Sequence, residues 1–320
     1  MLSARSAAWS CSIGIVLLAT SVAVGQNYPN KPIRIVTAEV GGANDIPARA
    51  IAQKLTASVG QQVIVENRSG VISIETAAKA PADGYTLLFI GSAMWLAPLL
   101  RDKVSYDPVK DFSPITLAVK SPNVLVVHPS VAANSVKELI ALAKAKPGVL
   151  NYASGSAGTI THLAAELFKA MAGVNIVRIP YKGGGPAIIG LVGGQVQLMF
   201  ASAGSVTPQV KAGKLRALAV TTAEPSVLAP GLPTIAASGL PGYEAATPYG
   251  LLAPAKTPVV IINRLNQEVV RVLNIAEVKE HLLNGGAETV GNSPAQFAAA
   301  IKSEMTMWGK VIKDGGIRDE

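Results

Sequence analysis

Short β-branched runs alternate with helix-length stretches along most of this chain, and they do so in two separate series. In the first, residues 33–36 (IRIV) read as a strand and 45–59 as a helix. Residues 62–66 (QVIVE) and 85–90 (YTLLFI) follow as strands. A long extended stretch, 115–128, is broken by Ser121-Pro122-Asn123. The second series runs helix 136–145, strand 150–153, helix 161–171, strand 176–179, helix 186–192, then strands 196–200 and 215–220. Residues 225–258 are rich in Pro and Gly and predict no regular element. Helices at 259–273, 276–283 and 294–313 close the chain. Strands alternating with helices imply βαβ units. The expected fold is therefore α/β, with each series forming a mainly parallel sheet flanked by helices. Hydrophobic residues at 49 % against 15 % charged suit such buried strands.

Two series joined by two extended crossings suggest two lobes. The simplest division gives residues 26–122 to a first lobe, inserts 123–247 as a second, and returns 248–320 to the first. The crossings, near 117–126 and 243–253, are candidate hinges. A single large domain is the other arrangement.

The first residues read as an export signal, assigned to residues 1–25. Arg5 is the only charge before an apolar core at 13–22, and small residues follow at Ala23-Val24-Gly25. A membrane anchor is the rival reading, but a spanning helix needs about 20 apolar residues, roughly twice this core. Export places the mature chain in the periplasm. Cys11, the only cysteine, precedes the apolar core, so it is not a lipid-attachment cysteine. The mature chain then has neither a disulfide nor a thiol nucleophile. Without Arg5 it carries 27 basic and 20 acidic residues, a balance that favours anionic ligands. Nucleic acid is not indicated, because the basic residues are scattered and aromatics are only 5 %.

The most informative segment is Thr37-Ala38-Glu39-Val40-Gly41-Gly42-Ala43-Asn44-Asp45, which joins the first strand to the first helix. Ligands of open α/β sheets gather at the carboxyl ends of strands, and a helix N-terminus there offers N–H groups to an anion. Gly41 and Gly42 allow close backbone approach. Asp45 has a structural alternative as a helix cap, with Arg49 four residues on as its ion-pair partner. The second series repeats the arrangement in Ser154-Gly155-Ser156-Ala157-Gly158-Thr159, which precedes the helix carrying His162. That segment also reads as an ordinary Gly/Ser loop with Thr159 or Thr161 as cap. Gly183-Gly184-Gly185 after Lys182 lacks the spacing and ending of a phosphate loop, and Lys182 reads as a solvated lysine.

Enzymatic readings find little support. His128, His162 and His281 show no metal-ligand spacing, so no metal is expected. No G-x-S-x-G elbow is present. His162 in the first turn of its helix reads as a residue that orients the loop. An acid–base isomerase built from His162 and Asp45 is the enzymatic alternative.

With these loops placed, the chain resembles the Bug-type (TctC-like) receptors of tripartite tricarboxylate transporters over essentially its whole mature length. The matching pieces include Tyr28-Pro29-Asn30-Lys31-Pro32, Gly41-Gly42-x-x-Asp45 with Arg49, Val65-Glu66-Asn67-Arg68 and Ala82-Asp83-Gly84-Tyr85. Tyr106-Asp107-Pro108, Asn151-Tyr152-Ala153-Ser154, Pro180-Tyr181-Lys182-Gly183, Gly213-Lys214-Leu215-Arg216 and Gly239-Leu240-Pro241-Gly242-Tyr243 follow in the family's order. The resemblance implies a two-lobed, Venus-flytrap fold of the type II periplasmic-binding class. It also implies a small carboxylate ligand, no cofactor, no catalysis and integral-membrane transporter subunits as partners. A monomer is expected. The implied ligand contacts are Ala38, Glu39, Val40, Gly41, Gly42 and Asn44 from the first loop, and Ser92 and Ala93 after the third strand. The second lobe adds Ser154, Ser156, Ala157, Gly158 and Thr159, together with Ala201 and Ser202. Asp45, Arg49 and His162 are expected to support them structurally. A periplasmic sensor presenting its closed form to a membrane signalling partner is a further reading.

This chain departs from the family pattern at telling places. Thr37-Ala38-Glu39-Val40 stands where the family loop reads Pro-Phe, placing an acid beside the expected anion site. Ala201 replaces a common Asp, and Thr247-Pro248-Tyr249 lacks the usual Trp. The fold survives such changes, but a standard dicarboxylate does not follow from it.

Overall fold

The computed structural model describes residues 28–318 apart from 39, 42, 69 and 156. The export signal at 1–25 and the contacts expected from Glu39, Gly42 and Ser156 lie outside the described residues.

The first series forms β1 (Ile33–Thr37), α1 (Asp45–Val59), β2 (Val63–Asn67), α2 (Gly70–Ala78), β3 (Thr86–Gly91), α3 (Ala93–Leu100) and β4 (Phe112–Ser121). The second forms β5 (Asn123–Val127), α4 (Val136–Ala145), β6 (Asn151–Ser154), α5 (Ile160–Ala172) and β7 (Val177–Pro180). It continues with α6 (Gly184–Val192), β8 (Leu198–Ser202), α7 (Ala203–Lys211) and β9 (Arg216–Val220). The chain then returns through β10 (Thr247–Pro254), α8 (Val259–Leu273), α9 (Ala276–Asn284), β11 (Glu288–Thr289) and α10 (Pro294–Asp314).

Two sheets result, ordered β11-β4-β10-β3-β1-β2 and β7-β6-β8-β5-β9. Leaving out the short edge strand β11, they have the same plan. Each has a parallel trio, then one strand running against it, then a strand returning to the trio's direction. The opposed strand is β10 in the first sheet and β5 in the second, and each is the first strand the chain makes after crossing between sheets. The two crossings touch: Ser121 pairs with Thr247. Beside them the Asn123 amide donates to Thr221 Oγ1 at 3.1 Å, Asn123 Nδ2 to Ala245 O at 3.1 Å, and Ala245 N to Thr221 O at 2.9 Å. Asn123 and Thr221 are buried there, so their polar groups are paired within the protein.

The structure corrects the sequence reading of residues 225–258. The extended crossing expected near 243–253 is in fact a sheet strand, β10, paired between β3 and β4. From Gly250 onward its residues are all buried and so show no alternation, and Pro248, Gly250 and Pro254 disguise it further. At Gly250 any Cβ would sit 2.2 Å from Phe297 and 2.8 Å from Thr116 O, so the core there requires glycine. α2, α3 and α7 are also unforeseen. They are eight or nine residues long, and α3 and α7 each carry an internal proline. α10 ties the sheets together, packing on β4 and α3 of the first and on α5 of the second. Its Ser293 cap and Gln296 form a capping box, which starts this long helix sharply.

Candidate functional site

The loop after β1 is held from below by an ionic knot. Asp45 is buried at 2 % exposure and opens α1, directly after the N-cap residue Asn44. It does not cap that helix, as the sequence suggested. Its carboxylate instead reaches back, accepting from Gly41 N at 2.8 Å, Asn67 Nδ2 at 2.8 Å and Arg49 Nε at 2.9 Å. Arg49 Nη2 binds Asn67 Oδ1 at 2.6 Å, and Asn67 Nδ2 also donates to Ala38 O at 2.6 Å. Burial by itself would raise the Asp45 pKa. The hydrogen bonds from Arg49, Gly41 and Asn67, with the Arg49 charge, outweigh burial and hold it below the usual carboxylate range.

The loop before α5 uses the same device with a different side chain. Gly158 N donates to His162 Nδ1 at 3.1 Å, again from a glycine to a side chain four residues on. Gly41 and Gly158 have nearly the same φ, +73° and +72°, which glycine adopts without strain. Burial, and then the charge of Arg178, pushes the His162 imidazole down from 6.5 to about 4. It is therefore neutral at pH 7, with Nδ1 as the acceptor and its ring stacked on Tyr152. Tyr152 OH donates to Glu166 Oε1 at 2.5 Å, and Lys169 pairs with the same carboxylate.

Arg178 on β7 completes the second loop. Its Nε donates to Ser154 Oγ at 2.8 Å and its Nη2 to Gly155 O at 3.0 Å. Among the described residues no carboxylate lies within ion-pair distance of Arg178, so it leaves positive charge at the loop's base. The sequence reading missed Arg178, Tyr152 and Glu166 as support. The available signal was one arginine in the strand VRIP, placed by register opposite Tyr152.

The expected contacts fall into two groups. β1 and β3 are parallel neighbours, so Ala38, Val40, Gly41 and Asn44 share one end of the first sheet with Ser92-Ala93. β6 and β8 are likewise neighbours, which puts Ser154, Ala157, Gly158 and Thr159 with Ala201-Ser202 at one end of the second. α3 links the groups: a Cβ on Gly158 would lie 2.4 Å from Leu100, the last residue of α3. Val40, Gly41, Ala93, Thr159 and Ser202 are exposed, while Asn44, Ala157 and Gly158 are half-buried. Ser202 Oγ donates to Ser205 Oγ at 2.8 Å. Thr159 occupies the N-cap position of α5. Ala38, Ser92, Ser154 and Ala201 are buried. Ala201 packs in the core of the second sheet, and Ser154 Oγ serves Arg178. The amides of Gly41 and Gly158 are spent on Asp45 and His162, and that of Ser92 on Pro248 O at 3.2 Å. Of the offered N–H groups, these three face inward.

Asp45 bonds to Gly41, Arg49 and Asn67, and His162 to Gly158, so the two do not form an acid–base pair with each other. Among the described residues there is no cluster of three His, Cys, Asp or Glu able to hold a metal.

Comparison with known proteins decides the family. The model of the tripartite tricarboxylate transporter family receptor matches residues 47–317. The chain belongs to that family. It is thus a solute-binding receptor and not an enzyme, and its two-sheet fold is that of the periplasmic binding proteins. It is 36 % identical to protein BugT of Bordetella pertussis, over 96 % of this chain and 97 % of that one. An R. palustris protein solved with adipate is 37 % identical, with a TM-score of 0.75 over 91 % of this chain and 99 % of its own. MatC of Rhodopseudomonas palustris, solved with bound malate, is 28 % identical, with a TM-score of 0.70 over 89 % and 100 %.

Proposed function

We propose that this receptor captures a small carboxylate-bearing metabolite in the cleft between two lobes, in the periplasm, and delivers it to the integral-membrane subunits of a tripartite tricarboxylate-type transporter. The observation that carries the reading is the matched pair of braced loops, each with a φ-positive glycine ahead of a helix N-terminus, with the uncompensated Arg178 beneath the second. Helix N-termini and one spare guanidinium suit a carboxylate. The adipate and malate in its relatives agree with that chemistry. The proposed lobes are 26–122 with 248–320, and the inserted 123–247, hinged where Ser121 meets Thr247. An N-terminal export signal at 1–25 accounts for the location.

A thermal-shift screen over mono-, di- and tricarboxylates tests this. Ligand at about 100-fold its dissociation constant adds roughly 2.7 kcal/mol, and at about 2–4 °C per kcal/mol the melting point should rise by roughly 5–10 °C. Arg178→Met is expected to shrink the shift of whichever acid binds. Flat melting curves across the panel would sink the carboxylate assignment.

A further inference from the structure

Behind the crossings lies a cavity of about 160 Å³ whose chemistry is opposite to that of the loops. Its walls include Trp95 of α3 and Phe297 and Trp308 of α10, three rings each almost wholly removed from solvent. Glu304 of α10 also lines it. Trp95 Nε1 donates to Glu304 Oε2 at 2.7 Å, while among the described residues Oε1 has no donor and no cation pairs with this carboxylate. The other charged groups at the cavity are Lys120, at the end of β4, and Glu244, just before β10, and they are bonded to one another at 2.8 Å. With Glu304 ionised the cavity therefore holds one uncompensated negative charge.

We propose that this cavity binds a small organic cation with an ammonium head, seated against Glu304 and walled by Trp95, Phe297 and Trp308. Glu304 is half-buried with one oxygen held by the Trp95 indole, and its other oxygen is open to a charge-assisted hydrogen bond from an ammonium group. The aromatic side chains of the wall supply apolar surface for the alkyl part of such a cation. An anion is disfavoured, because Glu304 and Glu244 repel it and Lys120 is already paired. A metal ion is disfavoured too, because the cavity offers one free carboxylate and no further ligand cluster. The inference is independent of the carboxylate reading, since none of the loop residues assigned to that site lines this cavity.

Burial raises the Glu304 carboxyl from 4.5 to about 7. The Trp95 hydrogen bond and Lys120 oppose this, and Glu244 adds to it. The ionised form is the binding form, so ammonium affinity rises with pH. Going from one unit below that value to more than one above it raises the ionised fraction about tenfold.

The experiment is isothermal titration of the full chain with propylammonium at pH 6.0 and pH 8.5, alongside 1-propanol as a neutral isostere. Tryptophan fluorescence, which Trp95 and Trp308 report from the cavity wall, follows in parallel. Saturable binding of propylammonium, about tenfold tighter at pH 8.5, with no saturation by 1-propanol, is expected. Glu304→Gln keeps an acceptor for the Trp95 indole and removes the charge, and should abolish both the binding and its pH dependence. The absence of saturable binding at pH 8.5 overturns the proposal, as does equal binding of the alcohol or a pH-independent affinity. These readouts come from the unaltered protein and stand whether or not the variant folds.

Discussion

His162 should make acid pH destabilising through one identifiable group. In the unfolded chain its imidazole takes up a proton as pH falls through 6.5, but in the folded protein not until about pH 4. Between those values the unfolded state binds more protons, so stability is lost as pH drops from about 6.5 and levels off below about 4. The full span amounts to about 3 kcal/mol at roughly 1.4 kcal/mol per unit, of which about 2 kcal/mol is lost by pH 5. Glu304 acts with the opposite sign. Its folded value near 7 lies above 4.5, so the folded state holds the extra proton and stability rises as pH falls across that window. The unaltered protein therefore shows a near cancellation, and the His162 effect must be read against Glu304→Gln. Urea unfolding at pH 7.5 and 5.0 on Glu304→Gln, with and without His162→Gln, makes the comparison. Glu304→Gln alone should lose about 2 kcal/mol more on acidification than the double variant. Parallel losses in the two proteins would refute the reasoning, because they would show that burial and the Arg178 charge do not hold the imidazole neutral.

Three other perturbations follow from packing and the first loop's knot. Asp45→Ala removes the shared acceptor of Arg49, Asn67 and the Gly41 amide and should cost about 1–3 kcal/mol in urea unfolding at pH 7. The difference should shrink on acidification, since Asp45 stabilises only while ionised. Gly158→Ala should lose about 1–2 kcal/mol from left-handed backbone strain plus a term for displacing Leu100. Adding Leu100→Ala should cost less than the two single losses summed. Gly250→Ala has no room between Phe297 and Thr116 O and is expected to lower the urea midpoint by an amount equivalent to at least 1–3 kcal/mol, roughly the overpacking range.

The alternation of strands and helices determined the α/β class, and its double series foretold the two sheets. The start of α1 at Asp45 and both bounds of α4 were legible residue for residue, because these helices carry regular apolar spacing and clear punctuation. The Gly-containing loops were legible too, since strand ends and helix starts locate them. β10 was not. A strand buried on both faces carries no period-2 signal, and its glycine and prolines read as loop until Phe297 and β4 are packed around them. The inward direction of the Gly41 and Gly158 amides was equally invisible, because it depends on where Asp45 and His162 point. The charge at each site also belonged to the tertiary structure. Arg178 and Glu304 are single residues of ordinary surface type in the chain. Only the fold leaves one without an acid beneath a loop, and the other facing a cavity with an indole as its sole donor among the described residues.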